Sequence, residues 1–338
     1  MKTPASIRKP RSDDKRIQDL ALGMWVYPTV LAAYQLGLFR TLDGRASSSS
    51  EVARALGIEE RPAQAMPAAC ASLGLLSTEN GRIALSTAAE DYLSERSPTC
   101  AGPFLDLVLA LQPLCSAEVI KKAITTNLPQ APSTAEMYRS LEQAAAFYQG
   151  MHAHSIGEAL EWPKHVDLSQ HRVLLDIGGG SAVHSIGAAI NWPKLNATVF
   201  DLPTACDAAD SNIAKYRLQA RVKTQPGSMW DDAYPAADAH LYSLVFPDWP
   251  REKCLELARK SYTALEKKGR IILHEMLFDE DRSGPAATAG FNVMMLIFTH
   301  GEFHTASELA QILTEAGFSR VEVKRTSGYW GIVTGIKP

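Results

Sequence analysis

The chain has 338 residues, 46% of them hydrophobic and 21% charged, with a formal net charge of −3. That length holds two domains with separate cores, and the charge balance offers no basic excess for nucleic acid or an anionic membrane. Five scattered cysteines (Cys70, Cys100, Cys115, Cys206 and Cys254) form no CxxC pair, which argues against a disulfide framework or a cysteine zinc site and for a reduced, cytoplasmic home.

Residues 1–16 are polar and charged without an apolar core, so a flexible N-terminus is expected there rather than a secretory signal. No apolar run is long enough to span a bilayer. From Ile17 to Leu42 the pattern is helical, with Leu20, Leu22, Met24, Trp25, Tyr27 and Leu31 spread around the helix. That is more apolar surface than one helix of a small monomer hides, and it reads as a core helix or a subunit interface. Ser47 to Ile58 reads as a serine-capped helix, and Pro62 to Leu73 as a second that closes on Gly74. Leu75-Leu76, a turn at Glu79-Asn80-Gly81 and Arg82 to Leu85 then make a hairpin. Residues 17–103 are therefore expected to form a winged-helix-like domain. Its second helix has only Arg61 at its start, so it offers little to DNA phosphates.

Residues 104–165 read as helical, a linker and pocket helices broken by a proline-rich loop at Leu128 to Ser133. From 166 to 338 strands and helices alternate. Strands are expected at 172–176, 197–201, 221–225, 239–246, 270–276, 319–325 and 330–336, with helices between them that include Arg251 to Leu265 and Ala306 to Ala316. Such alternation means an α/β fold, a mostly parallel Rossmann-like sheet covered on both faces. The last two strands are separated only by Thr326 to Tyr329, too few residues for a crossover, so they must form an antiparallel hairpin.

The stretch from Leu174 to Pro203 carries the most chemistry. An apolar run reaches Asp176, then Gly178-Gly179-Gly180, then a helix-like segment, then a second apolar run that ends in Asp201. Glycines let the backbone approach a ligand closely, and the helix N-terminus lends its N–H groups. Asp201, about 25 residues past the turn, stands where a pair of ribose hydroxyls would be held. A dinucleotide fingerprint wants Gly or Ala at its sixth position, and this chain has neither. The acid two residues before the first glycine shifts the reading towards an S-adenosylmethionine loop; a glycine turn in an unrelated α/β protein is the alternative.

Further motifs follow a set order: LGLFRTLDG, SSSSEVARALGI, ASLGLLS, FYQGMHAHS (Phe147 to Ser155), LLDIGGGS, VFDLP, GSMW (Gly227 to Trp230), PDW (Pro247 to Trp249) and TEAGF (Thr314 to Phe318). In that order, from Trp25 to the C-terminus, the chain resembles the caffeate- and acetylserotonin-type O-methyltransferases. The resemblance implies a winged-helix dimerisation domain, a homodimer, and S-adenosyl-L-methionine as cofactor with S-adenosyl-L-homocysteine as product. It implies that Asp176, Gly178, Gly179 and Gly180 hold the methionine part and that Asp201 and Leu202 lie at the ribose. Ser228 and Met229 would meet the adenine, Ser228 standing where relatives carry Asp. Ser155 and Ser243 complete the expected cofactor set, and Ala182 replaces the last glycine of the family's GGGTG.

The departure from the family lies at the proton-handling groups. Where the family has H-D-W, with the histidine as base, this chain has Pro247-Asp248-Trp249. Glu275 matches one supporting acid, but Phe303 stands where the second would be, with Glu302 one place off. His154 is a substitute base or a pocket-shaping group, and Asp248 a structural or substrate-binding acid. His152 is expected to point elsewhere, at the surface or an interface. His300 and His304 have a spacing that would let them ligate a metal alongside Asp248, although no metal is expected. By resemblance the acceptor pocket comprises Met151, His154, Trp249, Phe291, Met294, Met295 and Phe298, which suits a flat aromatic small molecule. O-methylation is the leading reading. The alternatives are an N-, S- or C-methyltransferase that needs no base, with or without a metal, and a family member repurposed for other chemistry.

Overall fold

The computed structural model describes residues 9–132 and 141–338, so the end of the expected proline-rich loop lies outside the described residues. The chain divides into two compact units between Gly102 and Pro103.

The first unit contains α1 (Lys15–Leu36), α2 (Leu38–Leu42), α3 (Ser49–Leu56), α4 (Glu60–Ser72), β1 (Leu76–Glu79), β2 (Arg82–Leu85) and α5 (Thr87–Tyr92). The single helix expected to Leu42 is in fact two. Gly37 takes a left-handed φ of 81° and ends α1, its N–H turned back to the carbonyls of Ala33 and Tyr34. Ser48 and Glu51 form a capping box at the start of α3, each side chain meeting the other's backbone N–H. Asn80 and Gly81, both at positive φ, close the β1–β2 hairpin. Leu38, Phe39, Leu42, Val52, Cys70 and Ile83 make the core. Ile17, Leu20, Leu22, Met24, Trp25 and Tyr27 of α1 remain exposed in the single chain.

In the second unit, α6 (Gly102–Leu111), α7 (Ala117–Thr126) and α8 (Leu141–Glu161) precede the sheet. There follow β3 (Val173–Ile177), α9 (Val183–Asn191), β4 (Asn196–Asp201), α10 (Pro203–Lys215), β5 (Val222–Pro226), β6 (Ala239–Ser243), α11 (Arg251–Ala264), β7 (Arg270–Met276), α12 (Ala286–Phe298), α13 (Ala306–Glu315), β8 (Ser319–Arg325) and β9 (Trp330–Ile336). The sheet runs β5-β4-β3-β6-β7-β9-β8, parallel except for β9, which is antiparallel to both of its neighbours. One face buries Leu175, Ile177, Tyr242 and Phe246 beneath α11 and α13, the other Leu174, Leu241 and Ile272 with Trp162 and Ile186. The strand expected to reach 246 stops at Ser243, because Leu244 at φ 53° swings the chain out of the sheet. Among the described residues no single helix is long and apolar enough to cross a membrane.

The chain winds outward from β3 in one direction and from β6 in the other. The carboxyl ends of these two neighbours therefore open a crevice where the strand order reverses, the place where such sheets bind ligands. Asp176 lies near the end of β3 and Ser243 ends β6. Gly187 lets α9 lie directly on α8, since a Cβ there would overlap the backbone of Ala159.

Candidate active site

The loop after β3 is shaped by close contact. A Cβ at Gly178 would lie 2.9 Å from the Val245 side chain and 3.5 Å from that of Met229, and one at Gly179 would lie 2.6 Å from the Asp176 carboxyl carbon. Gly178 and Gly180 also hold φ values of 69° and 51°, which a side chain would strain. Ala182 holds a φ of 65° at the start of α9 despite its Cβ. The backbone N–H of Gly180 donates to Asp201 at 2.8 Å and that of Leu202 donates to its other oxygen at 2.7 Å. Asp201 is thereby fixed at the tip of β4 beside the glycine turn, and burial raises its carboxyl. Ser185 donates to Asp176 at 2.7 Å, but the second oxygen of Asp176 is buried without a partner. Burial lifts that carboxyl to about 7. A glycine turn that lets a ligand approach the backbone closely, set against an acid with an unpartnered oxygen, fits the amino-acid end of S-adenosylmethionine, whose ammonium would supply a donor.

The carboxylate absent at position 228 has neighbours that restore negative charge. Ser228 donates its N–H to Asp232 and its hydroxyl to Asp231, both at 2.8 Å. Lys260 holds the carbonyls of Met229 and Trp230 at 2.7 and 2.9 Å, which fixes the segment expected at the adenine.

Beneath the crevice lies a histidine network that sequence spacing did not reveal. The Ser243 hydroxyl sits 3.0 Å from His184 Nε2 and 2.9 Å from His274 Nδ1. His274 stacks on Trp330 with ring centres 4.7 Å apart. His154 is enclosed by Phe104, Phe291 and Trp330, with centre distances of 4.6, 5.5 and 5.7 Å. Burial holds His154 neutral, down to about 4, and His184 to about 3. His152 corrects the sequence expectation. It is half-buried rather than open to solvent, with Nδ1 3.1 Å from the hydroxyl of Ser181 in the glycine loop and Nε2 3.4 Å from that of Tyr216. Ser243 was among the expected cofactor residues, but its partners His184, on the helix after the glycines, and His274, and Trp330 beneath it, were not.

The segment after β6 carries Asp248. Its backbone is tied from several sides. Glu275 accepts from the Phe246 N–H at 3.4 Å, and the Cys254 thiol donates to the carbonyls of Phe246 and Trp249. Gly301 comes so close that a Cβ there would overlap Pro247 and Asp248. Glu275 is buried with one oxygen unpartnered, and burial pushes its carboxyl well up, with the charge of Asp248 adding to the effect. Asp248 has exposed surface, yet burial lifts it to about 7.

Met276, Phe278, Met295, Phe303 and Trp330 form an apolar cluster against which Leu244, Phe291 and Met294 pack. Phe303 therefore fills the place of the second expected acid with a ring, 6.0 Å from that of Phe291. Of the expected acceptor residues, Phe291, Met294 and Met295 come together here. Trp249 instead packs edge-on to Trp230 at 4.7 Å, while Phe298 and Met151 are half-buried on α12 and α8 outside that cluster. Ser155 is buried with its hydroxyl 3.4 Å from His154 Nδ1. His304 is not in an open polar loop but buried, 4.0 Å from Glu308, whereas His300 is exposed. Among the described residues no three His, Cys, Asp or Glu side chains are grouped to hold a metal ion.

Comparison with known proteins agrees with this geometry. Residues 129–319 match the O-methyltransferase domain family and residues 18–95 the O-methyltransferase dimerisation domain family. The chain is 31% identical to 3-hydroxy-5-methyl-1-naphthoate 3-O-methyltransferase of Streptomyces sahachiroi, over 95% of this chain and 94% of that protein. It is 27% identical to acetylserotonin O-methyltransferase of Gallus gallus, over 93% and 95% respectively. The crystal structure of human N-acetylserotonin methyltransferase in complex with SAM superposes with a TM-score of 0.84 at 25% identity, covering 98% of this chain and 99% of that one.

Proposed function

Because this chain belongs to the family of S-adenosylmethionine-dependent O-methyltransferases, we propose that it methylates a hydroxyl group of a small aromatic metabolite and works as a homodimer. The observation that carries the reading is the pairing, at one end of the sheet, of the glycine cradle clamped to Asp201 with the methionine and aromatic cluster beside Leu244. Gly178, Gly179 and Gly180 hold the methionine part above Asp176. Asp201 and Leu202 take the ribose, and Ser228 and Met229 the adenine. Ser155 and Ser243 border the methyl-transfer site, Ser243 held in place by its two histidines.

When bound, S-adenosylmethionine supplies a methyl group on a sulfonium that is already activated. The residues therefore have mainly to align the acceptor and keep water out. Phe291, Met294, Met295 and Trp330 provide flat, deformable walls for an aromatic ring. His154, caged and neutral, adds a ring face to the same surface without adding charge.

The test uses S-adenosylmethionine labelled in its methyl group, with matched hydroxy- and amino-naphthoates and hydroxyindoles as acceptors. Label should appear in methoxy products; label in amines alone, or in nothing, would overturn the reading. Asp201→Ala should weaken S-adenosylhomocysteine binding by roughly 10- to 100-fold, the value of one or two charge-assisted hydrogen bonds, as read by calorimetry.

A further inference from the structure

We propose that His152 is a positioning residue for the cofactor turn, holding Ser181 so that the glycines before it keep the shape that S-adenosylmethionine requires. The inference rests on the cofactor placement proposed above.

The turn does not hold itself. Gly178 and Gly180 adopt positive φ without penalty, but Ala182 keeps a φ of 65° against its own Cβ. A residue in that region persists only where its surroundings over-determine it. Ser181, immediately before it, is tied at both its side chain and its backbone. Its hydroxyl lies 3.1 Å from His152 Nδ1 on α8, and its carbonyl accepts from Asn212 Nδ2 on α10 at 3.1 Å. One residue earlier, the Gly180 N–H donates to Asp201 at the tip of β4, at 2.8 Å. The turn is thus pinned from α8, α10 and β4 together.

His152 is itself anchored. Its Nε2 lies 3.4 Å from the Tyr216 hydroxyl with ring centres 6.0 Å apart, and Tyr216 packs against Ile156, Ala159 and Val183. A neutral imidazole has one N–H and one bare nitrogen, so it can donate to one of these hydroxyls while accepting from the other. Burial, with Lys215 adding to it, lowers His152 to about 4 and keeps that neutral form. One turn earlier on the same face of α8, Tyr148 also meets the loop. Its ring carbons lie 3.8 and 3.9 Å from where a Cβ of Gly180 would be. His154, two residues further on, turns instead to Phe291 and Trp330. One face of α8 therefore braces the cofactor turn while another meets the aromatic cluster.

Without the His152 ring, Ser181 loses its partner on α8 and Ala182 can relax out of the left-handed region. Binding must then restore the turn, which weakens affinity. Calorimetry with S-adenosylhomocysteine reads the effect. His152→Ala should raise Kd roughly 10-fold, the worth of one partly buried hydrogen bond. Ser181→Ala, which deletes the other end of the same bond, should do likewise, and the double variant should be no worse than either. His152→Asn, whose amide can place a polar atom near the position of Nδ1, should keep most of the affinity. Wild-type affinity in His152→Ala, additive losses in the double variant, or equal losses in the Asn and Ala variants overturn the proposal.

Hydrogen exchange of the unliganded protein gives a readout that needs no cofactor. His152→Ala should speed exchange in residues 178–186 and leave β7 and α13 as protected as in wild type. Unchanged exchange in that segment, or faster exchange throughout, overturns the proposal. If wild type binds no S-adenosylhomocysteine, the cofactor reading fails by itself, and the exchange experiment still decides whether His152 holds the turn.

Discussion

Asp176 and Asp201 end adjacent strands and do different work because their partners differ. Asp201 receives two backbone N–H groups, whereas Asp176 receives one hydroxyl and keeps an oxygen unpaired. Burial raises the Asp176 carboxyl from 3.8 to about 7. Between those values the folded protein holds a proton that the unfolded chain lacks, so this residue's contribution to stability falls as pH rises and is at its lowest above 7. In the cofactor-free protein, the melting temperature of Asp176→Asn relative to wild type should therefore climb from pH 5 to pH 8. A flat difference would mean that the carboxyl is not raised. Both acids were legible from their places after apolar runs, but the unsatisfied oxygen was not, since only packing determines who donates to it.

At the scale of elements, two helical glycines make opposite predictions. Gly187 meets the backbone of Ala159 on the neighbouring helix, whereas a Cβ at Gly290 in α12 meets nothing within 4 Å. Gly187→Ala should force α8 and α9 apart at a cost of about 1–3 kcal/mol. Gly290→Ala should stabilise by about 0.5–1 kcal/mol through helix propensity. Urea unfolding midpoints that move the same way for both would refute the close-packing account. The alternation of strands and helices was readable from periodicity, including the closing hairpin. The break of the first helix at Gly37 and the early end of β6 at Ser243 were not, because each depends on one residue adopting a left-handed φ within an otherwise continuous pattern.

Across the whole molecule, the buried histidines oppose the buried acids. Burial lowers His152 and His154 to about 4 and His184 and His240 to about 3, and holds His274 well below the ordinary imidazole value. Each has a folded value below its unfolded 6.5, so its contribution is intact above 6.5 and is lost as pH falls towards 4. The raised acids Glu158, Asp176, Asp201, Asp248 and Glu275 act in the reverse sense, but among the described residues these five face seven lowered histidines once His171 and His304 are included. Net stability should therefore drop as pH is lowered from 7 to 5. Urea titrations at the two values check this, and equal stabilities would mean that the imidazoles are already hydrated. The exposed apolar residues Leu20, Leu22, Met24, Trp25 and Tyr27 of α1 lie within the match to the dimerisation domain.

The sequence by itself determined the class of fold, the order of its elements and the cofactor loop, because these depend on local periodicity and on glycines and acids at short spacing. By resemblance it also set Pro247 and Phe303 where a histidine and a glutamate were expected. Only the tertiary structure decided what replaced them. His304 is buried, His152 is half-buried against the glycine loop, His154 is a ring held among aromatics, Phe303 joins an apolar wall, and Asp248 keeps an exposed side chain on a segment tied through its backbone. Proton affinity depends on solvation and on partners brought from distant strands, and neither is written in the spacing of residues along the chain.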